Sequence, residues 1–327
     1  MNCHPDGGGS GPVGRAGRNG GEARGPSPSG RTSRQGVVWL VVAATGYGSL
    51  VVLIKGAVAA DLNAETALAL RFTLAALVWW LILLARRQPL WPGARQAAGA
   101  AGIGALFYAT NALAYYRGTA RLAGSLAAMA IAGVPVVVAL LAWLFLRERV
   151  GPLGRLALAV AVAGGVLLAG GPRGHTDPVG LLWLGGAVLL YSLYIVFSAP
   201  VTRALSPPIA TFYVISGAAA FYWLWGGMTG RLDFGFAPGG WTAIAGLALI
   251  PTVLAMFAFL VGAGVVGATR AAIVNTLEPV VGVILSVLFL GDRPGPLQMA
   301  GGGLVILAAV LVQRERARGE ETAMKRR

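Results

Sequence analysis

The residues of this chain that could do chemistry are few, because they are isolated polar groups within long apolar stretches. Glu278 is the only carboxylate well inside such a stretch, and Pro279 follows it directly. An ionisable group in apolar surroundings is costly, so it usually faces a cavity or a partner. Glu278 therefore has two interpretations: an acid that takes up a proton or binds a cationic group, or a packing acid hydrogen-bonded to a neighbouring helix.

Aromatic and amide side chains recur at helical spacing. Tyr108, Asn111 and Tyr115 fall on one helix face, Tyr191 and Tyr194 share a second face, and Asn275 lies three residues before Glu278. An unsatisfied amide or hydroxyl is costly in apolar surroundings, so we expect these faces to point inward, toward other helices or a pocket. The predicted substrate-binding residues are Tyr47, Tyr108, Asn111, Tyr115, Tyr191, Tyr194, Asn275 and Glu278.

Arg71 is a cation within an apolar stretch, and two interpretations of it stay open. Its side chain could snorkel to the membrane interface, or it could recognise an anion or a carboxylate. A direct ion pair with Glu278 would need helix tilt or distortion to close about 10 Å of depth, at about 1.5 Å per residue.

Histidine and cysteine are scarce, and this argues against catalysis. His4 and His175 lie outside the apolar stretches, and Cys3 is the only cysteine. The sequence therefore predicts no metal site, no haem and no catalytic histidine. A phosphate-binding loop ending in Gly-Lys-Ser/Thr is also absent from the sequence. We expect no enzyme activity and no cofactor, so transport would draw its energy from a proton or a counter-solute.

The elements that must position these residues are membrane-spanning helices. The 327 residues are 56% hydrophobic and 12% charged, with a mean hydropathy of +0.71, whereas soluble domains are about 25% charged. This composition excludes a single-core soluble domain. Ten apolar blocks approach the roughly 20 residues that span a bilayer, at 36–54, 66–85, 96–116, 122–146, 152–171, 178–201, 206–226, 241–261, 267–290 and 296–312.

The charge distribution predicts how the chain is oriented. The net charge of +14 comes from Lys and Arg at the ends of apolar blocks and in two tails, 1–35 and 314–327. No basic groove is interleaved with aromatic residues, which argues against nucleic acid as a partner. With the N-terminus inside, 19 of the 26 Lys and Arg lie inside and 6 outside. The positive-inside rule then places both termini in the cytoplasm of a plasma-membrane protein, with residues 1–35 as a disordered tail.

An internal repeat divides the chain into halves. A shift of 144 residues superposes them without a gap: 135–137 and 279–281 both read Pro-Val-Val, and 151–153 and 295–297 both read Gly-Pro-Leu. Trp39 and Tyr47 likewise fall on Trp183 and Tyr191.

The repeat predicts the architecture. Residues 36–171 and 178–313 form two repeats of five helices each. Five is odd, so the second repeat enters the membrane from the opposite side and the repeats are inverted. Pro135 and Pro279 are expected to kink equivalent helices, because proline frees backbone carbonyls of the preceding turn. The predicted fold is an all-α polytopic membrane protein with ten transmembrane helices.

Two stretches carry a resemblance to a known family. Residues 135–149, running on to 164–168, and residues 277–293 resemble the fourth and fifth helices of EamA-type carriers of the drug/metabolite transporter superfamily. The resemblance spans about residues 36–313. Asp292 stands where the family usually has Glu, and Arg147 where it usually has Gly; both are at helix ends.

The resemblance implies a carrier that works by alternating access. Its substrate would sit in a central cavity lined by the first, third and fourth helices of each repeat. We therefore expect a secondary transporter that moves a small organic metabolite or drug across the plasma membrane, in the export direction. A non-transporting scaffold or receptor-like subunit and a channel are the alternatives.

Overall fold

The computed structural model describes residues 30–88, 90–146, 151–169 and 177–325. Ten helices fill these ranges: α1 (Arg34–Ala59), α2 (Ala64–Ala85), α3 (Ala94–Arg121), α4 (Gly124–Phe145), α5 (Pro152–Ala169), α6 (Pro178–Thr202), α7 (Pro207–Thr229), α8 (Gly239–Val266), α9 (Arg270–Leu290) and α10 (Pro296–Arg314). Within these ranges, nine helices are long and apolar enough to cross a membrane, and α5 is a shorter apolar helix.

Helix extends into both predicted tails where they are described. Helix begins at Gly30, so the last residues of the predicted disordered tail are helical. At the other end, helix continues from α10 to Lys325. Residues 1–29, with Cys3 and His4, lie outside the described ranges, as do residue 89, residues 147–150, with Arg147, and residues 170–176, with His175.

Local sequence signals explain where helices begin and end. The side chain of Asn63 accepts a hydrogen bond of 2.8 Å from the Thr66 N–H at the start of α2, which satisfies a donor that lacks an intrahelical partner. Pro178 opens α6 in the position where its missing N–H costs nothing. Gly267, with φ of 88°, separates α8 from α9 in backbone that other residues rarely adopt.

Four helix irregularities occur in pairs that match the internal repeat. The π-helical turns Gly104–Tyr108 in α3 and Ala248–Leu254 in α8 begin 144 residues apart. In α4 the helix stops at Ile131 and resumes at Val134, just before Pro135. In α9 it stops at Asn275 and resumes at Leu277, just before Pro279. Each proline lacks the N–H that would bond to the carbonyl four residues earlier, which accounts for the interruption there.

The helix pairs that pack against each other are related by exchange of the two halves. Helix α1 packs on α8, α3 on α6, α2 on α7, α4 on α9 and α5 on α10. Exchanging the halves converts the first pair into the second and leaves the other three unchanged. This is the pattern of an approximate two-fold relation between the halves.

Small residues bring paired helices into backbone contact. A Cβ added to Gly164 of α5 would lie 2.8 Å from the carbonyl oxygen of Gly301 in α10, and one added to Gly301 would lie 2.7 Å from that of Gly164. In α7, a Cβ on Gly217 would overlap the carbonyl of Ala101 in α3. Because lipid provides no hydrophobic drive between helices, such close van der Waals contact contributes to holding them together.

Candidate functional site

A central cavity of about 320 Å³ lies between the two halves. It is lined from α1, α3 and α4 of the first half and α6, α8 and α9 of the second, with Arg71 from α2 and Gln313 from α10. The six helices are those that the family resemblance implied, whereas the contributions from α2 and α10 were not expected. Both kink prolines, Pro135 and Pro279, are part of the lining.

The structure brings most of the predicted binding residues to this cavity. The residues on the lining are Tyr47, Tyr108, Asn111, Tyr115, Tyr191, Asn275 and Glu278. Tyr194 is not on it, but its ring centroid lies 5.2 Å from that of Tyr108 and 5.8 Å from that of Tyr191. Tyr194 thus supports two rings of the lining from behind. Substrate binding by these residues stays a prediction.

Glu278 lies on the cavity wall beside an amide of its own helix. The Asn275 side-chain amide donates a hydrogen bond of 3.0 Å to Glu278 Oε2, and Glu278 lies in the first turn of the segment Leu277–Leu290. The partial positive charge of a helix N-terminus favours a carboxylate there. Within the described residues, Glu278 forms no ion pair.

Arg71 is buried, with 5% of its surface exposed. Its Nε donates a hydrogen bond of 2.9 Å to Thr252 Oγ1, and its Cζ lies 5.0 Å from the centroid of the Phe72 ring. Snorkelling is therefore wrong, because the side chain is held inside the helix bundle. The structure also shows no ion pair between Arg71 and Glu278, both of which are described.

Several buried polar atoms near the cavity have no hydrogen-bond partner among the described residues. They are the side-chain oxygens of Asn111, Asn275 and Gln313, all of which belong to lining residues. A buried polar group left unpaired costs about 1–3 kcal/mol. These oxygens are therefore available to a bound molecule or to water.

Charged residues cluster at the end of the bundle that holds the α1–α2 loop. Glu65 Oε1 lies 2.6 Å from Arg117 Nη2 and 3.3 Å from Arg231 Nη1, although Glu65 itself is buried. Asn63 Nδ2 donates to the Arg231 carbonyl at 3.0 Å. We call Glu65, Arg117 and Arg231 the Glu65 cluster; it ties α2, α3 and the α7–α8 loop together.

Two further polar contacts lie at the same end. The Ser125 N–H donates to Asp292 Oδ2 at 2.7 Å, joining α4 to the α9–α10 loop. Arg121 donates to Asp177 at 2.9 Å. This hydrogen bond, with a second from the Val179 N–H, lowers the pKa of the Asp177 carboxyl.

The opposite end of the bundle is held differently. Within the described ranges, no ion pair joins helices there; Arg86 stacks over Phe257 at 4.9 Å, and the Tyr213 hydroxyl donates to the Leu90 carbonyl at 2.9 Å. The cavity reaches toward this end, because Gln313 on its wall immediately precedes the last residue of the α10 span.

Some site residues were missed by sequence reasoning. Thr252 and Gln313 were not singled out, nor was Glu65. The repeat offers a signal for one of them, because Thr252 is the equivalent of Tyr108, a predicted lining residue. No pattern in the sequence pairs Glu65 with Arg117 and Arg231, which are 52 and 166 residues away.

The chain has relatives among known proteins. The sequence pattern of the EamA-like transporter family matches residues 34–170 and again 178–314. "Uncharacterized transporter YcbK" of Bacillus subtilis (strain 168) is 23% identical over 285 residues, 84% of this chain and 91% of YcbK. "Uncharacterized transporter YdfC" of the same organism is 26% identical over 58% of this chain and 62% of YdfC. A solved crystal structure, 20% identical, has the same fold with a TM-score of 0.60 over 88% of this chain and 99% of that one.

Proposed function

This chain belongs to the EamA-like transporter family, and on that premise we propose that it exports a small organic metabolite or drug across the plasma membrane by alternating access. Family and relatives make it a multi-pass membrane protein of the transporter class. The observation that carries the proposal is the polar-lined cavity between two equivalent halves, held by charged contacts at one end and reaching toward the other.

The proposed topology counts α5 as the tenth span. Five helices in each half then make the repeats inverted, and the two-fold packing pattern supports this arrangement. With 19 of 26 Lys and Arg on the N-terminal side, that side is cytoplasmic. The Glu65 cluster then lies outside and the cavity reaches toward the cytoplasm, so the conformation is inward-facing.

The equivalence of the two halves supports the proposed alternating access. If each half can adopt the conformation of the other, the contacts that close one end have counterparts that close the other. The π-turns and interrupted helices occur once in each half and all adjoin the cavity. They are the places where helix segments can shift without breaking regular hydrogen bonding.

Energy for export is proposed to come from a proton or a counter-solute, with Glu278 as the proton-binding group. Glu278 faces the cavity, and no described cation neutralises it. Proton uptake on Glu278 in one conformation and release in the other would couple transport to the proton gradient.

Counterflow in proteoliposomes tests the carrier. Vesicles are loaded with a solute that stabilises the purified protein, diluted into a trace of the labelled solute, and followed for transient accumulation of label. Such trans-stimulation requires a site open to one side at a time. Flux that rises linearly with solute concentration, without trans-stimulation, would indicate a channel. Solute binding without any flux would indicate a receptor-like subunit.

A further inference from the structure

Arg71 carries a charge that no described residue neutralises. The ion pairs in the described ranges use Glu65 and Asp177 as their acids, and neither contacts Arg71. A guanidinium stays protonated at any physiological pH and has five N–H donors. Only the bond from Nε to Thr252 is formed within the described chain, so most of the donors of this buried side chain have no protein acceptor.

The orientation of Arg71 is fixed by the π-turn of α8. The Thr252 hydroxyl donates to the Leu247 carbonyl, five residues earlier, at 2.8 Å. Its oxygen is then free to accept from Arg71 Nε at 2.9 Å. The guanidinium also lies over the Phe72 ring, with Cζ 5.0 Å from the ring centroid. One edge of the guanidinium is thus held, and its terminal nitrogens remain for a ligand in the cavity that Arg71 lines.

The duplicated fold does not require a cation at this position. The repeat equivalent of Arg71 is Ile215, which is fully buried in α7. Both positions lie in the packed pair formed by α2 and α7. Since an apolar residue fills the equivalent place, packing alone does not account for Arg71.

Building on the proposed transport function, we infer that Arg71 binds the acidic group of the transported molecule, a carboxylate. Two parallel N–H···O bonds match a guanidinium to a carboxylate, and low polarity around them strengthens the contact. A cavity of about 320 Å³ limits the ligand to a small molecule. Glu278 also lines this cavity, so the part of the ligand that faces it carries no second negative charge.

Thermal unfolding of the full-length protein with matched ligands tests the inference. The probes are small aliphatic and aromatic monocarboxylates, each paired with its own primary amide, together with dicarboxylates and phosphonates of the same skeletons. We expect monocarboxylates to raise the unfolding temperature and their amides not to. Stronger stabilisation by phosphonates would show that the site prefers another oxyanion, and this would overturn the inference that it binds a carboxylate.

Variants of Arg71 assign the effect to this residue. Arg71→Gln is expected to weaken binding of the best carboxylate at least about 30-fold, the loss typical of a buried charge pair. Arg71→Lys keeps the charge without the two-pronged geometry and should lie between. The matched control is Arg86→Gln, which removes a cation just beyond the end of the same helix, at a residue that stacks on Phe257. It should leave affinity unchanged.

Thr252→Val keeps the experiment decisive if Arg71 variants fold poorly. It leaves the charge in place but removes the acceptor that orients it, and we expect about tenfold weaker carboxylate binding, from the loss of one hydrogen bond to a charged group. Acids and amides that stabilise equally, a panel without any stabilising monocarboxylate, or full affinity in both Arg71→Gln and Thr252→Val would overturn the inference.

Counterflow of the best carboxylate separates this inference from the transport proposal. Arg71-dependent binding without counterflow would refute transport and leave the acid site standing. Counterflow of a neutral solute that persists in Arg71→Gln would support transport and refute the acid site.

Discussion

Replacing Glu65 by Gln should release the end of the bundle that the Glu65 cluster holds. The substitution keeps the size of the side chain but removes the charge that Arg117 and Arg231 share, at 2.6 and 3.3 Å. If the other conformation of a transport cycle opens this end, those contacts must separate there. Glu65→Gln then destabilises the observed conformation and not the other.

The size of the effect follows from the exposure of the three side chains. Glu65 is 7% exposed and Arg117 28%, so this pair is partly shielded from solvent, whereas Arg231 is 52% exposed. Exposed pairs contribute about 0.2–1 kcal/mol and breaking a buried one costs about 3–5. We take the free energy that the Glu65 cluster contributes to the observed conformation as about 2 kcal/mol. Its loss shifts the ratio of the two conformations by about 30-fold.

Labelling of a cavity cysteine from outside intact cells measures this shift. Cys3 is the only native cysteine, so Cys3→Ser provides a clean background for Ala112→Cys on the cavity wall. With a membrane-impermeant maleimide, Glu65→Gln should label up to about 30 times faster than its parent. Asp177→Asn, which removes the exposed pair with Arg121 at the same end, is the control and should change the rate less than about twofold. Labelling that is unchanged or slower in Glu65→Gln would refute the closing role of the cluster.

Three other predictions concern coupling, topology and packing. Glu278→Gln should lose solute accumulation driven by a pH gradient in proteoliposomes yet retain exchange; gradient-driven accumulation in the mutant would exclude Glu278 as the proton site. Reporter fusions should place both termini and the segment 147–155 inside and residues 292–295 outside, and finding both segments on one side would disprove the inverted repeat. Gly217→Leu should lower the unfolding temperature by several degrees through overlap with Ala101, at a cost of about 1–3 kcal/mol of stability. The control is Gly227→Leu in the same helix, where the added side chain meets open space. Equal unfolding temperatures of the two variants would contradict the packing argument.

Sequence periodicity predicted the helices and most of the cavity wall, because one polar face in an apolar helix must turn away from lipid. Tyr108, Asn111 and Tyr115 all reached the cavity for this reason. The pattern did not say which helix each face meets, so Tyr194 was placed in the lining rather than behind it. The two interpretations of Arg71 stayed open for a similar reason, because its acceptor Thr252 lies 181 residues away.

Helix irregularities show a related limit. Pro135 and Pro279 marked the interruptions in α4 and α9. The π-turn of α3 contains no proline, unlike its equivalent in α8. Without a proline to mark it, the sequence alone did not indicate this turn.

The unequal equivalents in the two halves decide how many ways a ligand can bind. Between perfectly matched halves, a ligand would find the same surroundings after a half-turn, and two opposite poses would be equally populated. The equivalent of Arg71 in the other half is Ile215, and the equivalent of Glu278 is Val134. One acidic and one basic position, each present once, remove this degeneracy. Under the proposed transport function, two equivalent halves can therefore move symmetrically and still bind the ligand in a single orientation.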